Sequence, residues 1–205
     1  MVLEIFTNLD KILISMIQTY GILVYPLLFL IIFVETGLVI FPFLPGDSLL
    51  FISGTLASRG LISVILIFFI ASIAAIIGDS VNYLAGRFIG GKICKSRFVK
   101  PEYLTRTKNF YEKYGGKTII FARFIPIIRT FAPFIAGIGK MKYSKFLSFN
   151  ILGGILWVAL FIFAGFFFGT IPLIEKNLSL VIILIIIISF IPAVLEVVKA
   201  KLNRN

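Results

Sequence analysis

The segment from Glu35 to Asp47 reads ETGLVIFPFLPGD and is the part of the chain that decides the fold. It places a carboxylate at each end of an apolar run that contains Pro42 and Pro45. Proline interrupts a helix, and broken backbone at membrane depth is tolerated only where protein or water surrounds it. A carboxylate at the bilayer centre costs roughly 2.5–3.5 kcal/mol on insertion scales, so it usually marks a function. The segment predicts an interrupted, non-spanning element that carries acids into the membrane; the alternative places both acids in the headgroup region, at the ends of a plain helix and loop.

The composition indicates an integral membrane protein with one domain. The chain has 205 residues, of which 60% are hydrophobic, and its mean hydropathy is +1.09. Soluble domains have about 45–50% apolar residues. Several charge-free apolar runs are long enough to cross a bilayer.

The charged and reactive residues exclude several classes of function. There is no histidine, which argues against membrane phosphatases with a histidine nucleophile, and the one cysteine, Cys94, allows neither an intrachain disulfide nor a cysteine metal cluster. We expect no metal and no cofactor. The net charge of +11 is explained by basic cytoplasmic loops beside anionic lipid, so no nucleic acid partner is predicted.

The apolar runs predict an all-α polytopic protein. Residues 1–20 have the pattern of an amphipathic surface helix, or of the start of the first span. Full spans are predicted at about 21–41, 61–86, 146–170 and 178–198, and the run at 42–58 is too short to span, which suits a re-entrant hairpin. Residues 87–117 form a strongly basic segment and residues 199–205 a basic tail; both are expected in the cytoplasm, with both termini.

A second interrupted element is predicted at residues 118–139. Arg123 and Arg129 lie inside it, and Pro126 and Pro133 break it. Basic residues flank it on both sides, so a hairpin that enters and leaves on the cytoplasmic side satisfies the charge rule. Each hairpin is followed by one span, and the two spans cross the membrane in opposite directions. This is an inverted repeat, a plan that places a site of acids and arginines near the midplane.

The end of the 61–86 span carries small and polar residues. Gly78 and Gly86 would allow close helix contact. Asp79 is either a buried polar partner or the wet end of this helix, and the sequence leaves the two open.

Three ordered motifs resemble those of the DedA family, also described as the SNARE-associated or VTT domain. They cover about residues 20–170. The motifs are Glu35-x-Gly37 with Pro45-Gly46-Asp47; Gly78-Asp79 with Tyr83, Gly86-Arg87 and Gly90; and Arg123-Phe124-x-Pro126-x-x-Arg129-Thr130 with Ala136-Gly137, Asn150 and Trp157.

The resemblance implies a 21–170 membrane domain with two re-entrant hairpins and a role in lipid translocation. Bacterial members are linked to undecaprenyl phosphate recycling or phosphatidylethanolamine movement and to the proton motive force, and eukaryotic relatives are phospholipid scramblases. By similarity, Glu35, Asp47, Arg123 and Arg129 take the roles of essential charged residues. Supporting positions are expected at Gly37, Pro42, Pro45, Gly46, Gly78, Asp79, Tyr83, Gly86, Arg87, Pro126, Thr130, Gly137 and Asn150.

Three functions compete at this point. The first is a transporter of a phosphate-bearing lipid across a bacterial cytoplasmic membrane, because paired arginines suit a phosphate monoester. The second is a proton-coupled exporter of small molecules, with Glu35 and Asp47 as proton carriers. The third is an intramembrane hydrolase that uses Asp47 and Asp79, although no nucleophile–base pair is visible, so we expect no enzyme. Membrane lipids and protons are the expected partners, and a homo-oligomer is compatible with the sequence.

Overall fold

The computed structural model describes residues 9–38, 46–93, 112, 114–172, 174 and 184. All its regular elements in these residues are helices. They are α1 (Leu9–Tyr20), a 3-10 turn at Gly21–Leu23, α2 (Val24–Gly37), α3 (Gly46–Ser58), α4 (Val64–Ile93), a second 3-10 turn at Gly115–Lys117, α5 (Thr118–Ala122), α6 (Pro126–Ile138) and α7 (Tyr143–Phe168).

Among the described residues, three helical stretches are long and apolar enough to cross a membrane. They are Ile12–Gly37, Val64–Phe88 and Tyr143–Phe168, so the predicted spans at 61–86 and 146–170 are confirmed as apolar helices of sufficient length. The first stretch begins earlier than the predicted 21–41, because α1 continues through a 3-10 turn into α2. The predicted final span at 178–198, the tail at 199–205 and most of the basic segment 87–117 lie outside the described residues.

The long helix α4 presents an apolar stripe that suits lipid contact. Large exposed side chains recur along it every three or four residues, so they share one face of the helix. A soluble protein rarely exposes so continuous an apolar surface. The stripe consists of Ile65, Phe69, Ile73, Ile77, Val81, Leu84 and Phe88.

The first interrupted element is described at its two ends. Helix α2 ends at Gly37, Leu38 is non-helical, and α3 begins at Gly46; Pro42 and Pro45 lie outside the described residues. Helix α3 has 13 residues, which gives a length of about 20 Å, shorter than a hydrocarbon core of about 30 Å. Its residues from Ser48 to Ala57 are all buried.

The second interrupted element is two helices rather than one span. Helix α5 ends at Ala122, and α6 begins at Pro126, the first helical position, where a missing N–H costs nothing. Ile125 has an extended backbone (φ −124°, ψ 106°), the conformation that a following proline favours. Helices α5 and α6 contact each other. The apolar core beside them consists of Tyr83, Ile119, Ala122, Ile128, Ala132, Ala136 and Phe146.

The described residues fall into two compact units. Of these residues, unit 1 contains 9–32, 46–74, 156–172, 174 and 184, and unit 2 contains 33–38, 75–93, 112 and 114–155. Unit 1 therefore contains α1, α3 and part of α2, α4 and α7; unit 2 contains α5, α6 and the remaining parts of the same three helices.

Glycines bring helix backbones into direct contact within each unit. In unit 1, a Cβ on Gly54 would lie 2.0 Å from the carbonyl oxygen of Ile162, and one on Gly165 would lie 1.9 Å from that of Phe51. In unit 2, a Cβ on Gly86 would lie 2.0 Å from the oxygen of Phe134, and one on Gly137 would lie 2.1 Å from that of Tyr83. The close contact predicted for Gly86 is confirmed.

Candidate functional site: buried charges in unit 2

Glu35 and Arg129 form a buried ion pair in unit 2. Glu35 lies in the last turn of α2 and is fully buried, and Arg129 lies in the first turn of α6 and is 6% exposed. The Nη2 atom of Arg129 donates to Oε1 of Glu35. The two helix ends would each disfavour these charges alone, because a helix C-terminus carries partial negative charge and an N-terminus partial positive charge. Pairing offsets both costs.

Arg123 forms a second buried pair in the same unit. It lies in the break between α5 and α6, and its Nη2 atom donates to Oδ2 of Asp79 and to Oδ1 of Asn150, each at 2.5 Å. The amide of Asn150 in turn donates to the carbonyl oxygen of Ile76 at 2.9 Å. Asp79 is therefore a buried partner and not the wet end of its helix, which settles the alternative that the sequence left open.

The two ion pairs together contain four charged side chains, which we call the four-charge cluster: Glu35, Asp79, Arg123 and Arg129. Arg129 interacts electrostatically with both Asp79 and Arg123 as well as with Glu35. The cluster contains two acids and two arginines, so it is formally neutral. Buried charges persist only when they are paired and hydrogen-bonded, and these four meet that condition.

Close packing of glycines shapes the space around the cluster. A Cβ on Gly78 would lie 2.0 Å from Oγ1 of Thr36, and one on Gly37 would lie 3.4 Å from the Cα atom of Gly78. This contact brings the turn that carries Glu35 against the turn that carries Asp79. The adjacent Gly153 and Gly154 leave room for Arg123, because added Cβ atoms would lie 3.2 Å from its Cδ atom and 3.4 Å from its Nη2 atom, respectively.

Tyr83 and Asn82 tie neighbouring segments of unit 2 to α4. The hydroxyl of Tyr83 donates to the carbonyl oxygen of Met141 and accepts from Nη1 of Arg87 at 2.9 Å. The amide nitrogen of Asn82 donates to the carbonyl oxygens of Thr36 at 3.3 Å and Thr130 at 2.8 Å. Both Tyr83 and Asn82 are fully buried, whereas Arg87 is exposed.

Asp47 belongs to unit 1 and has a different environment. It lies in the first turn of α3, where the helix dipole favours an acid, and is half-buried. The indole Nε1 atom of the fully buried Trp157 donates to its Oδ1 atom at 2.9 Å.

Comparison with known proteins identifies the family. The VTT domain model matches residues 44–167, more than half of the chain. The chain belongs to the DedA family of VTT-domain proteins. It is 50% identical to Protein DedA of Escherichia coli K12 over 204 residues, which covers 97% of this chain and 93% of that protein.

More distant DedA relatives are also named as membrane proteins. The chain is 46% identical to an uncharacterized membrane protein of Mycobacterium leprae, with 83% of this chain and 78% of that protein covered. It is 32% identical to the inner membrane protein YqjA of Escherichia coli K12, with 75% and 71% covered. No solved structure matches the chain. The family and the apolar helices together make this a membrane protein.

The structure groups the residues inferred from the DedA motifs in a particular way. It brings together Glu35, Arg123 and Arg129, and it adds Asp79, which the sequence gave only a supporting position. Asp47 belongs to the other unit, with Trp157 as its partner. Gly46 is the buried first residue of α3, Pro126 opens α6, and Thr130 is buried beside Arg129.

Three contributors to the cluster were absent from the predicted site: Asn82, Gly153 and Gly154. Asn82 could have been found from its spacing, because it follows Asp79 by three residues and so shares its helix face.

Among the residues that the structure describes, no group of three or more acidic, histidine or cysteine side chains could hold a metal ion.

Proposed function

We propose that this DedA-family protein moves a phosphate-bearing lipid, such as undecaprenyl phosphate or a phospholipid, across the bacterial cytoplasmic membrane as a flippase or scramblase. One observation carries the proposal: two arginines are buried in a membrane protein, and each is paired with an acid. Ionisable residues inside a membrane are costly and usually mark a transport path.

The chemistry of the four-charge cluster suits an incoming phosphate group. A guanidinium can hold two phosphate oxygens at once, and phosphate is favoured at a helix N-terminus. Arg129 offers both, because it lies in the first turn of α6. The phosphate would replace Glu35 as the partner of Arg129, while Arg123 would stay paired with Asp79 and Asn150.

Proton coupling follows from the neutrality of the cluster. If a phosphate takes over Arg129, Glu35 is left as a buried carboxylate with less compensation. Such a group tends to become neutral by binding a proton. Lipid entry and proton uptake would then be linked at Glu35, and no enzyme activity or cofactor is needed.

The proposed membrane arrangement has four spans and two opposed re-entrant hairpins. The shortness of α3 and the break between α5 and α6 support the hairpins. The basic segments at 87–117 and 140–145 and the basic C-terminus support a cytoplasmic location for both termini and for the ends of the second hairpin. In this arrangement the two hairpins form an inverted repeat.

The test is lipid flux by the purified protein in liposomes, with lipids that differ only in headgroup. We expect flux of phosphate-bearing lipids, and we expect Arg129→Lys and Arg123→Lys to lose most of it, since lysine acts as a point charge. Arg59→Lys, at an exposed arginine of unit 1, is the matched control and should keep wild-type flux. Lipid flux that is unchanged by both Arg129→Lys and Arg123→Lys would refute the proposal.

An imposed pH gradient separates coupled from passive transport. The wild type should respond to the gradient, and Glu35→Gln, a fixed neutral mimic, should bind lipid but lose that response. If lipid flux by the wild type does not change with the gradient, the transport is passive scrambling.

A proton-coupled exporter of small molecules is the second candidate, because the cluster contains two fully or almost fully buried acids, Glu35 and Asp79. Transport of a soluble cation without lipid flux would favour this function.

A further inference from the structure

Asn82 joins the backbones of the two helices that carry one ion pair. Its amide nitrogen donates to the carbonyl oxygens of Thr36 and Thr130, at 3.3 Å and 2.8 Å. These residues directly follow Glu35 on α2 and Arg129 on α6. One side chain of α4 therefore links both helices at the positions where their charges meet.

The residue type suits this link. A carboxamide nitrogen has two hydrogens and can serve two carbonyl oxygens at once, whereas a serine or threonine hydroxyl has one hydrogen and an ionised aspartate has none. Asn82 is fully buried, and its Oδ1 atom has no hydrogen-bond partner among the described residues. Among the described residues, the side-chain nitrogen of Asn82 makes its hydrogen bonds, and these two bonds fix the orientation of the amide.

We propose that Asn82 is a positioning residue that holds α2 and α6 in the register at which Arg129 can meet either Glu35 or a phosphate group. This rests on the proposed function for the identity of the ligand. Entry of a phosphate would break the bond between Arg129 and Glu35. The bonds from Asn82 go to backbone carbonyls and not to the charged groups, so they would persist and keep the arginine in place.

The inference can be tested with a double-mutant cycle on lipid binding. The probe is a short-chain phosphatidic acid, titrated against the purified protein in detergent. Asn82→Leu has a similar volume and no donor, and it should weaken binding about tenfold or more, since small misplacements of positioned groups have effects of this size. In an Arg129→Gln background the same substitution should change binding less than about twofold, because coupled residues are non-additive.

Matched variants exclude a merely structural role. Ser80→Ala removes a donor from the same helix, where the hydroxyl donates to the carbonyl oxygen of Ile76 in its own helix at 2.8 Å, and should leave binding unchanged. If Asn82→Leu folds poorly, Asn82→Asp replaces it. Its binding, relative to the wild type at each pH, should recover as the pH falls, because a protonated carboxyl regains one donor.

An equal loss of binding from Asn82→Leu in both backgrounds would overturn the positioning role, as would an Asn82→Asp variant whose binding does not recover in acid.

If the wild type binds no phosphate lipid, the proposed function fails, and a second measurement still decides the positioning role. The cycle is then measured with Asn82→Leu and Glu35→Gln by thermal unfolding. Additive shifts in the unfolding midpoint would refute the role, and coupled shifts would support it.

Discussion

The two units use the same backbone contact but place different chemistry beside it. In each, one short helix after a break packs on a long helix through a reciprocal pair of glycines. The pairs are Gly54 with Gly165 in unit 1 and Gly86 with Gly137 in unit 2. In every case the glycine faces the carbonyl oxygen that lies three residues before its partner glycine. The shared geometry is thus a property of helix packing and does not depend on the charges.

The charges distinguish the units. Among the described residues, unit 2 contains the buried pairs of Arg123 with Asp79 and of Arg129 with Glu35. In unit 1 the short helix α3 carries Asp47, which accepts a hydrogen bond from the indole of Trp157. Asp47 lies in the first turn of α3, where the helix dipole favours an acid. Arg129 lies in the first turn of α6, where the helix dipole disfavours a cation, and its pairing with Glu35 offsets that cost.

The largest difference between the units should appear when a charge partner is removed. Arg123→Met leaves Asp79 buried without its arginine and should cost about 3–5 kcal/mol of folding free energy. Thermal or denaturant unfolding in detergent measures this. Lys142→Met, at an exposed lysine, is the control and should stay within about 0.5 kcal/mol. A stability loss no larger for Arg123→Met than for Lys142→Met would show that the pair is solvated.

The glycine contacts should respond alike in both units. Gly54→Ala and Gly86→Ala each force backbones apart and should cost about 1–3 kcal/mol, with a parallel loss of lipid flux. Gly139→Ala is the control, because the residue is exposed and its added Cβ would lie 3.3 Å from the carbonyl oxygen of Ile135, compared with 2.0 Å from a backbone oxygen at Gly54 and at Gly86. A clear loss in one unit with none in the other would contradict the shared packing.

The smallest effect is expected for the bond in unit 1. Trp157→Phe keeps an aromatic ring and removes one hydrogen bond to the half-buried Asp47, so a loss of about 0.5–1.5 kcal/mol, the usual net contribution of one such bond, is expected. Unfolding measures the stability, and liposome flux tests whether Asp47 contributes to transport. Phe167→Leu, at an exposed aromatic residue, controls for the loss of ring surface. Unchanged stability and flux for Trp157→Phe would assign the bond no role in either.

The sequence predicted most of the described helices, whereas the pairing of the charged residues came from the structure. Pro126 and the two internal arginines predicted a broken 118–139, and α5 and α6 confirm the break. The close helix contact predicted at Gly78 is confirmed as well. The grouping of Asp47 with the arginines stays a prediction, and within unit 1 the structure gives Asp47 a hydrogen bond from Trp157. Motif order shows which charges exist but carries no distance between them.

What the amino-acid sequence determined by itself was local: apolar runs long enough to span, proline breaks that end helices, and glycines where backbones can touch. These follow from steric and solvation rules that act within a few residues. Only the tertiary structure decided that Arg123 pairs with Asp79 and Asn150, and that Arg129 pairs with Glu35, 94 positions away. Ion pairing at such separations depends on how the helices pack, because a buried charge is stabilised by whichever opposite charge the packing brings within reach.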